Sequence, residues 1–137
     1  GPAPDGSVPP EAVERLVPVG QWIARHGEAL YGRVDRATRG VMEWLPTGKW
    51  TIKGNTAYFW CQRWPGKELA IGGLRVKVEK ASYLATGEPI RFSQSGERLI
   101  LQGLPEKSPD EITGVCVIKL ECDGPPRQVL GPGCVVL

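Results

Sequence analysis

Phenylalanine, histidine, asparagine and methionine are scarce in this 137-residue chain, with two Phe and only one each of the other three. Each scarcity removes a class of function. His26 is the sole histidine and no two of the four cysteines form a Cys-x-x-Cys pair, so the ligand set of a zinc site is missing, and neither a metal nor a cofactor is expected. The lone Asn55 is followed by Thr56 and then Ala57, which leaves no N-glycosylation acceptor. No apolar run approaches the ~20 residues a membrane-spanning helix requires, and nothing resembles a signal peptide. Charge of one sign is lacking as well. Seventeen Lys and Arg against fifteen Asp and Glu leave a net +2, too little to neutralise a row of phosphates. The densest basic cluster, Arg33, Arg36 and Arg39, lies in a glycine-bounded connector. Neither nucleic acid nor a membrane is therefore expected as a partner. The chain also lacks internal repeats, a Gly-x-Ser-x-Gly nucleophile elbow and a glycine-rich phosphate loop.

What the chain does contain is punctuation. Eighteen glycines and thirteen prolines point to many turns and short strands, and 14.9 kDa suits one domain with a real core. One helix is expected first, from Val8 or Pro9 to about Arg25, with Ser7 as N-cap and Gly27 as its stop. Val13, Leu16, Val17, Gly20, Ile23 and Ala24 recur at helical spacing as one apolar stripe, and Pro18 should kink the helix or split it in two. That stripe demands a surface to cover, and the helix is read as having no partner layer in this chain. Beyond the connector the period becomes alternating. Strands are expected near Val41–Trp44, Trp50–Lys53, Thr56–Arg63, Glu68–Ile71, Val76–Ala85, Ile90–Ser93, Arg98–Leu101 and Gly114–Glu121. About eight short strands with no helix between them predict a mainly β protein, an antiparallel β-sandwich preceded by one helix. In the last strand Cys116, Ile118, Leu120 and Cys122 share the face that should be core.

Side chains with chemistry are few. Cys116 and Cys122 stand about 20 Å apart at ~3.3 Å per residue and cannot bond to each other. A Cys122–Cys134 bridge and free buried thiols both remain open for the cysteines, Cys61 included. Glu11, Glu14 and Glu28 fall on helix surface or exit, and Glu79, Glu88, Glu97, Glu106, Asp110 and Glu111 fall on strand faces or turns. No catalytic pair with separated pKa values is implied among them. His26 is placed at the helix end, as a capping donor or a hydrogen-bond partner of another domain. Among the five tryptophans, Trp22 and Trp60 read as packing residues. Trp44 and Trp50 flank the turn Pro46-Thr47-Gly48, and Trp64 heads Pro65-Gly66. These three are the candidates for stacking on a sugar, against the competing role of sealing the core.

Many weak matches in the right order carry a resemblance to the C-terminal portion of the α-L-fucosidases of glycoside hydrolase family 29. Gly1, Pro2, Asp5, Gly6 and Pro9 follow the family's glycine-proline turn, aspartate-glycine step and proline-led helix. His26-Gly27-Glu28-Ala29-Leu30-Tyr31-Gly32 stands where the family usually has asparagine-glycine-glutamate-alanine-isoleucine-tyrosine-glycine. The likeness continues through KGNTAYFWCQRWPGKEL (Lys53 to Leu69), Gly73-Leu74 with VKVEKASYLATGEPIRFSQ after it, and LPEKSPDEITGVCVIKLE (Leu104 to Glu121). It spans roughly nine-tenths of the chain.

The resemblance implies a parent enzyme that hydrolyses α-L-fucosidic bonds with retention, using two carboxyl groups about 5 Å apart. It places the nucleophile, the acid/base and the sugar-binding residues on earlier segments of a (β/α)₈ barrel, so no catalytic residue is carried over to this chain, which should be silent when detached. By the same likeness, residues 1–32 are the terminal turn and helix of that barrel, 33–43 a connector and 44–122 its C-terminal β-sandwich. Residues 123–137 form a Pro/Gly-rich tail, either an edge strand or the start of a further domain. The implied partners are the barrel and carbohydrate. The implied compartment is periplasmic, extracellular or lysosomal. A free-standing carbohydrate-binding sandwich is the competing reading.

Overall fold

The computed structural model describes residues 10–30 and 48–128. The expected Ser7 cap, the connector, the strand at Val41–Trp44, Cys134 and the end of the tail lie outside them. The described elements run α1 (Pro10–Leu30), β1 (Gly48–Lys53), β2 (Thr56–Cys61), β3 (Leu69–Ile71), β4 (Val78–Tyr83), β5 (Arg91–Ser95), β6 (Arg98–Gln102) and β7 (Cys116–Cys122). Every strand pairing is antiparallel. One sheet has the order β1-β2-β7-β4 and the other β3-β6-β5, so the expected sandwich with one N-terminal helix is what the chain forms.

Local chemistry sets the register. Lys53 pairs with Thr56, so Gly54-Asn55 closes β1 onto β2 in two residues, and Gly54 takes the φ of 59° that such a turn requires. Gly48, expected in a turn, is instead the first residue of β1, opposite Cys61. A Cβ there would lie 2.1 Å from the carbonyl oxygen of Trp60, so only glycine fits. At β4 the register slips between Val78 and Lys80. Gln94 of β5 bonds the backbone beside the slip from the opposite sheet, its Oε1 accepting from Val78 N at 2.9 Å and its Nε2 donating to Val76 O at 2.7 Å.

Between the sheets lies the main core. Ala57, Phe59 and Cys61 of β2 and Ile118, Leu120 and Cys122 of β7 meet Leu69, Ile71, Leu99 and Leu101 of the smaller sheet. The β7 face that the alternation assigned to the core is the one that lies there. The other face of β2 and β7 is also covered. Tyr58 and Val117 pack under Trp22 and Ala29 of α1, so the molecule has three layers, helix on sheet on sheet.

Here the helix departs from its sequence reading in three ways. It continues through both Pro18 and Gly27 as one element to Leu30. Tertiary partners extend it: Ala29 is buried, and its carbonyl, left without an intrahelical donor at the helix end, accepts from the Thr51 hydroxyl at 3.3 Å. It also has a partner layer within this chain. The docked side chains are Trp22, His26 and Ala29, whereas Val17 of the expected stripe is 50% exposed and Gly20 and Ala24 face outward with it. At about 100° per residue the two sets occupy opposite sides of the helix. Trp22 wins the sheet-facing side because it buries a large ring and donates its indole N–H to Val115 O at 2.9 Å.

Candidate functional site

Of the three tryptophans singled out for sugar stacking, Trp50 and Trp64 lie among the described residues and Trp44 lies outside them. Trp50, on β1 opposite Phe59, is half-buried and packs on that ring with centroids 4.8 Å apart. Trp64, just after β2, packs against the same core and donates its indole N–H to Pro105 O at 2.7 Å. The aromatic contacts among the described residues join Trp22 to His26, Trp22 to Trp60 and Trp50 to Phe59; none joins Trp50 to Trp64.

Several carboxylates of the described residues are tied to cations or donors rather than to one another. Glu28 receives Lys119 Nζ at 2.7 Å and the Tyr58 hydroxyl at 2.8 Å. The Lys119 hydrogen bond, with the one from Tyr58, holds its carboxyl below the ordinary range against partial burial. Glu111 meets Arg25 at 2.7 Å, and that guanidinium lowers its pKa in the same way. Glu97 and Glu106 pair with Arg75 and Lys67 at the surface. No cluster of three metal-ligating side chains occurs among the described residues, and none of their helices is long and apolar enough to cross a membrane.

One constellation was not legible in the sequence. His26 sits a full turn inside α1 rather than at its end, 1% exposed, its ring stacked on Trp22 at 4.4 Å. Its Nδ1 lies 3.1 Å from the Trp22 carbonyl, which can only accept, so Nδ1 carries a proton and donates it there. Nε2 is buried with no partner. Asp110, in the loop before β7 and 8% exposed, lines with His26 a cavity of about 500 Å³. Its Oδ2 accepts from Thr113 N, Thr113 Oγ1 and Gly114 N at 2.7, 3.0 and 3.0 Å, which locks the loop. Its Oδ1 is buried and unpartnered. Tyr83, Leu104, Pro105 and Pro109 complete the walls. Cys116 lines the same cavity, its thiol pushed up to about 12 by burial. The sequence placed this aspartate only among carboxylates on strand faces or turns, and the signal that could have marked it is the Asp110-x-x-Thr113 spacing of a side-chain-capped turn.

No family model matches the chain. The tissue α-L-fucosidases of Homo sapiens and Macaca fascicularis are each 28% identical to it over 115 residues, 82% of this chain and 24% of theirs. Among solved structures, α-L-fucosidase isoenzyme 1 from Paenibacillus thiaminolyticus matches with a TM-score of 0.74 and 25% identity, over 90% of this chain and 29% of its own. A GH29 α-L-fucosidase from Bacteroides thetaiotaomicron matches with a TM-score of 0.68 and 29% identity, over 90% and 27%. The chain therefore spans about a quarter of the length of the curated relatives it matches.

Proposed function

We propose that this chain, which corresponds in sequence and fold to a C-terminal, non-catalytic portion of a family 29 α-L-fucosidase, buttresses a catalytic barrel belonging to its parent protein. The division into a barrel-derived helix (1–32), connector (33–43), sandwich (44–122) and tail (123–137) is part of the same proposal. One observation carries it. α1 is clamped to the sandwich by Trp22, His26 and Ala29 while Val17, Gly20 and Ala24 on the far side stay exposed. A helix with a covered face and an uncovered apolar face suits a position between two bodies. Nothing in the space around Gly20 would obstruct a close approach, since a Cβ there meets no atom within 4 Å.

In this reading the parent hydrolyses α-L-fucosidic bonds and this portion supplies no catalytic group. The carboxylates of the described residues that pair with cations are spent on those ion pairs, and retaining hydrolysis needs two carboxyl groups facing one bond. Two measurements test it. The purified chain should give no turnover of an aryl α-L-fucoside, and the native gene product should have a mass well above 14.9 kDa. Turnover by the chain alone, or a native product of this size, would overturn the assignment. Sugar-dependent quenching of tryptophan fluorescence that disappears in Trp64→Ala would favour the carbohydrate-binding reading of Trp44, Trp50 and Trp64 instead.

A further inference from the structure

We propose that Cys61 and Cys116 are an oxidation site, the two thiols closing a disulfide across β2 and β7 when the chain folds in the presence of a low-molecular-weight disulfide. Register brings them together. They are Cα partners on the antiparallel β2–β7 ladder, and directly opposite residues send their side chains to the same face. One step beyond the other end of that ladder, Cys122 N donates to Asn55 O at 3.0 Å, which makes those two a hydrogen-bonded pair. Pair types alternate along an unshifted register, so Ala57 with Leu120, Phe59 with Ile118 and Cys61 with Cys116 are hydrogen-bonded pairs too, whose Cα atoms stand about 5.5 Å apart. Disulfides most often span about 5.5–6 Å between Cα atoms. The Cβ atoms of opposite residues lie about 4.5–5.5 Å apart where a disulfide needs about 3.5–4.5 Å, so the bond asks for an approach of about 1 Å. β2 ends at Cys61 and β7 begins at Cys116, and with no rung of this ladder beyond them that approach is local.

Cys122, at the far end of β7, stands about 20 Å from Cys116 at ~3.3 Å per residue and is out of reach of both members of the pair. Burial lifts the two thiols, and Cys61 adds to the rise at Cys116, as a close neighbour does. In the closed fold Cys61 is 0% and Cys116 3% exposed, so the bond forms while the chain folds, when the thiols still ionise near ~8.5. One thiolate of the pair attacks a sulfur of the external disulfide, whose S–S bond breaks; a mixed disulfide forms and one external thiol leaves. The other thiolate attacks the protein sulfur of that mixed disulfide, and the second external thiol leaves. Two protein thiols are oxidised, the external disulfide is reduced to two thiols, and the two protons pass to these. The closed loop carries β3, β4, β5 and β6. The bridge therefore ties the whole smaller sheet into a cycle through the two central strands of the larger one, and it removes conformations from the unfolded chain.

The test refolds the whole chain from urea in a buffer of oxidised and reduced glutathione, blocks the remaining thiols with N-ethylmaleimide in denaturant, and maps the tryptic peptides by mass. Cleavage after Lys53, Arg63, Lys107 and Lys119 puts Cys61, Cys116 and Cys122 on three different peptides. The Cys61 and Cys116 peptides should appear joined. A second measurement compares urea midpoints in a chain carrying Cys134→Ala, so that the tail thiol contributes nothing. The joined form should show an unfolded fraction roughly a hundredfold below that of the same chain reduced with dithiothreitol, and this difference should vanish in Cys61→Ala and in Cys116→Ala. Each variant is compared with its own reduced form, which cancels any general loss of stability, and the peptide map of the unaltered chain decides even where a variant fails to fold. Absence of the Cys61–Cys116 link, a link from either residue to Cys122 or Cys134 in its place, a joined chain no more stable than the reduced one, or a midpoint difference that survives Cys61→Ala would each overturn the proposal.

Discussion

The thiols show how burial alone writes a pH dependence. Cys61, Cys116 and Cys122 are free and buried, and loss of hydration raises them to about 12, 12 and 11. An unfolded chain ionises its cysteines near 8.5. Because the folded values are raised, the thiols' contribution is fully present below that pH and is lost as pH rises toward the folded values, at up to about 1.4 kcal/mol per unit for each group. Urea unfolding should therefore give a midpoint that is flat near neutrality and falls on the alkaline side, with a shallower fall in Cys61→Ala than in the parent chain. Tyr58, pushed upward first by burial and then by the Glu28 carboxylate, adds to the same arm. Glu28 acts in the opposite sense. Its lowered pKa gives a contribution present above the unfolded carboxylate value and lost as pH falls through the folded one, so Glu28→Gln should flatten the acid arm of the profile and also reduce the share of the alkaline arm that Tyr58 owes to this carboxylate.

At the scale of elements, the strands were legible because alternation and turn residues report them directly. Each expected strand within the described residues is present, displaced by no more than a few residues at its ends. The helix was less legible, since a stripe of Val, Gly and Ala at helical spacing reads as the buried side when a single Trp22 and a buried His26 outweigh it. Periodicity counts apolar positions, whereas docking rewards area and a hydrogen bond at the contact. The two faces make opposite predictions. Trp22→Ala removes a ring at 8% exposure and its bond to Val115, and should cost roughly 3 kcal/mol by chemical denaturation. Val17→Asp, on the outer face, should stay within about 0.5 kcal/mol of the parent chain. At β1, Gly48→Ala forces a methyl against the Trp60 carbonyl and the Phe59 ring. Loss of the β1–β2 amide protection in hydrogen exchange is the expected signature.

The whole molecule is a sandwich with a helix fastened to one outer face, and these two parts should differ in cooperativity. The inter-sheet core draws on both sheets through Phe59, Ile71, Leu99, Leu101, Ile118 and Leu120, each 1% exposed or less. α1 is held through a smaller cluster around Trp22, Ala29, Tyr58 and Val117, with ion pairs from Glu28 and Arg25 at its margin. That arrangement follows from strands central enough to be covered on both faces, and the sequence revealed only the inner one, because Val117 and Lys119 alternate as a half-exposed strand would. The cavity stayed hidden for a related reason: it is assembled from α1, the turn after β4 and the loop before β7, which no local spacing joins. Native-state hydrogen exchange should resolve the two parts. Helix amides should open at lower free energy than those of β2 and β7, since fewer buried side chains must separate. Trp22→Ala weakens the docked native state itself, and so should lower protection in α1 and in the sandwich strands alike. Phe59→Ala, at the centre of the inter-sheet core, should lower the amides of β2, β6 and β7 by about 3–5 kcal/mol while leaving those of α1 near their parent values, because that core stays intact when the helix alone detaches. Equal loss in α1 and in the strands from Phe59→Ala would mean that helix and sandwich unfold as a single unit, and the helix could then not be treated as a strap laid across an independently stable body.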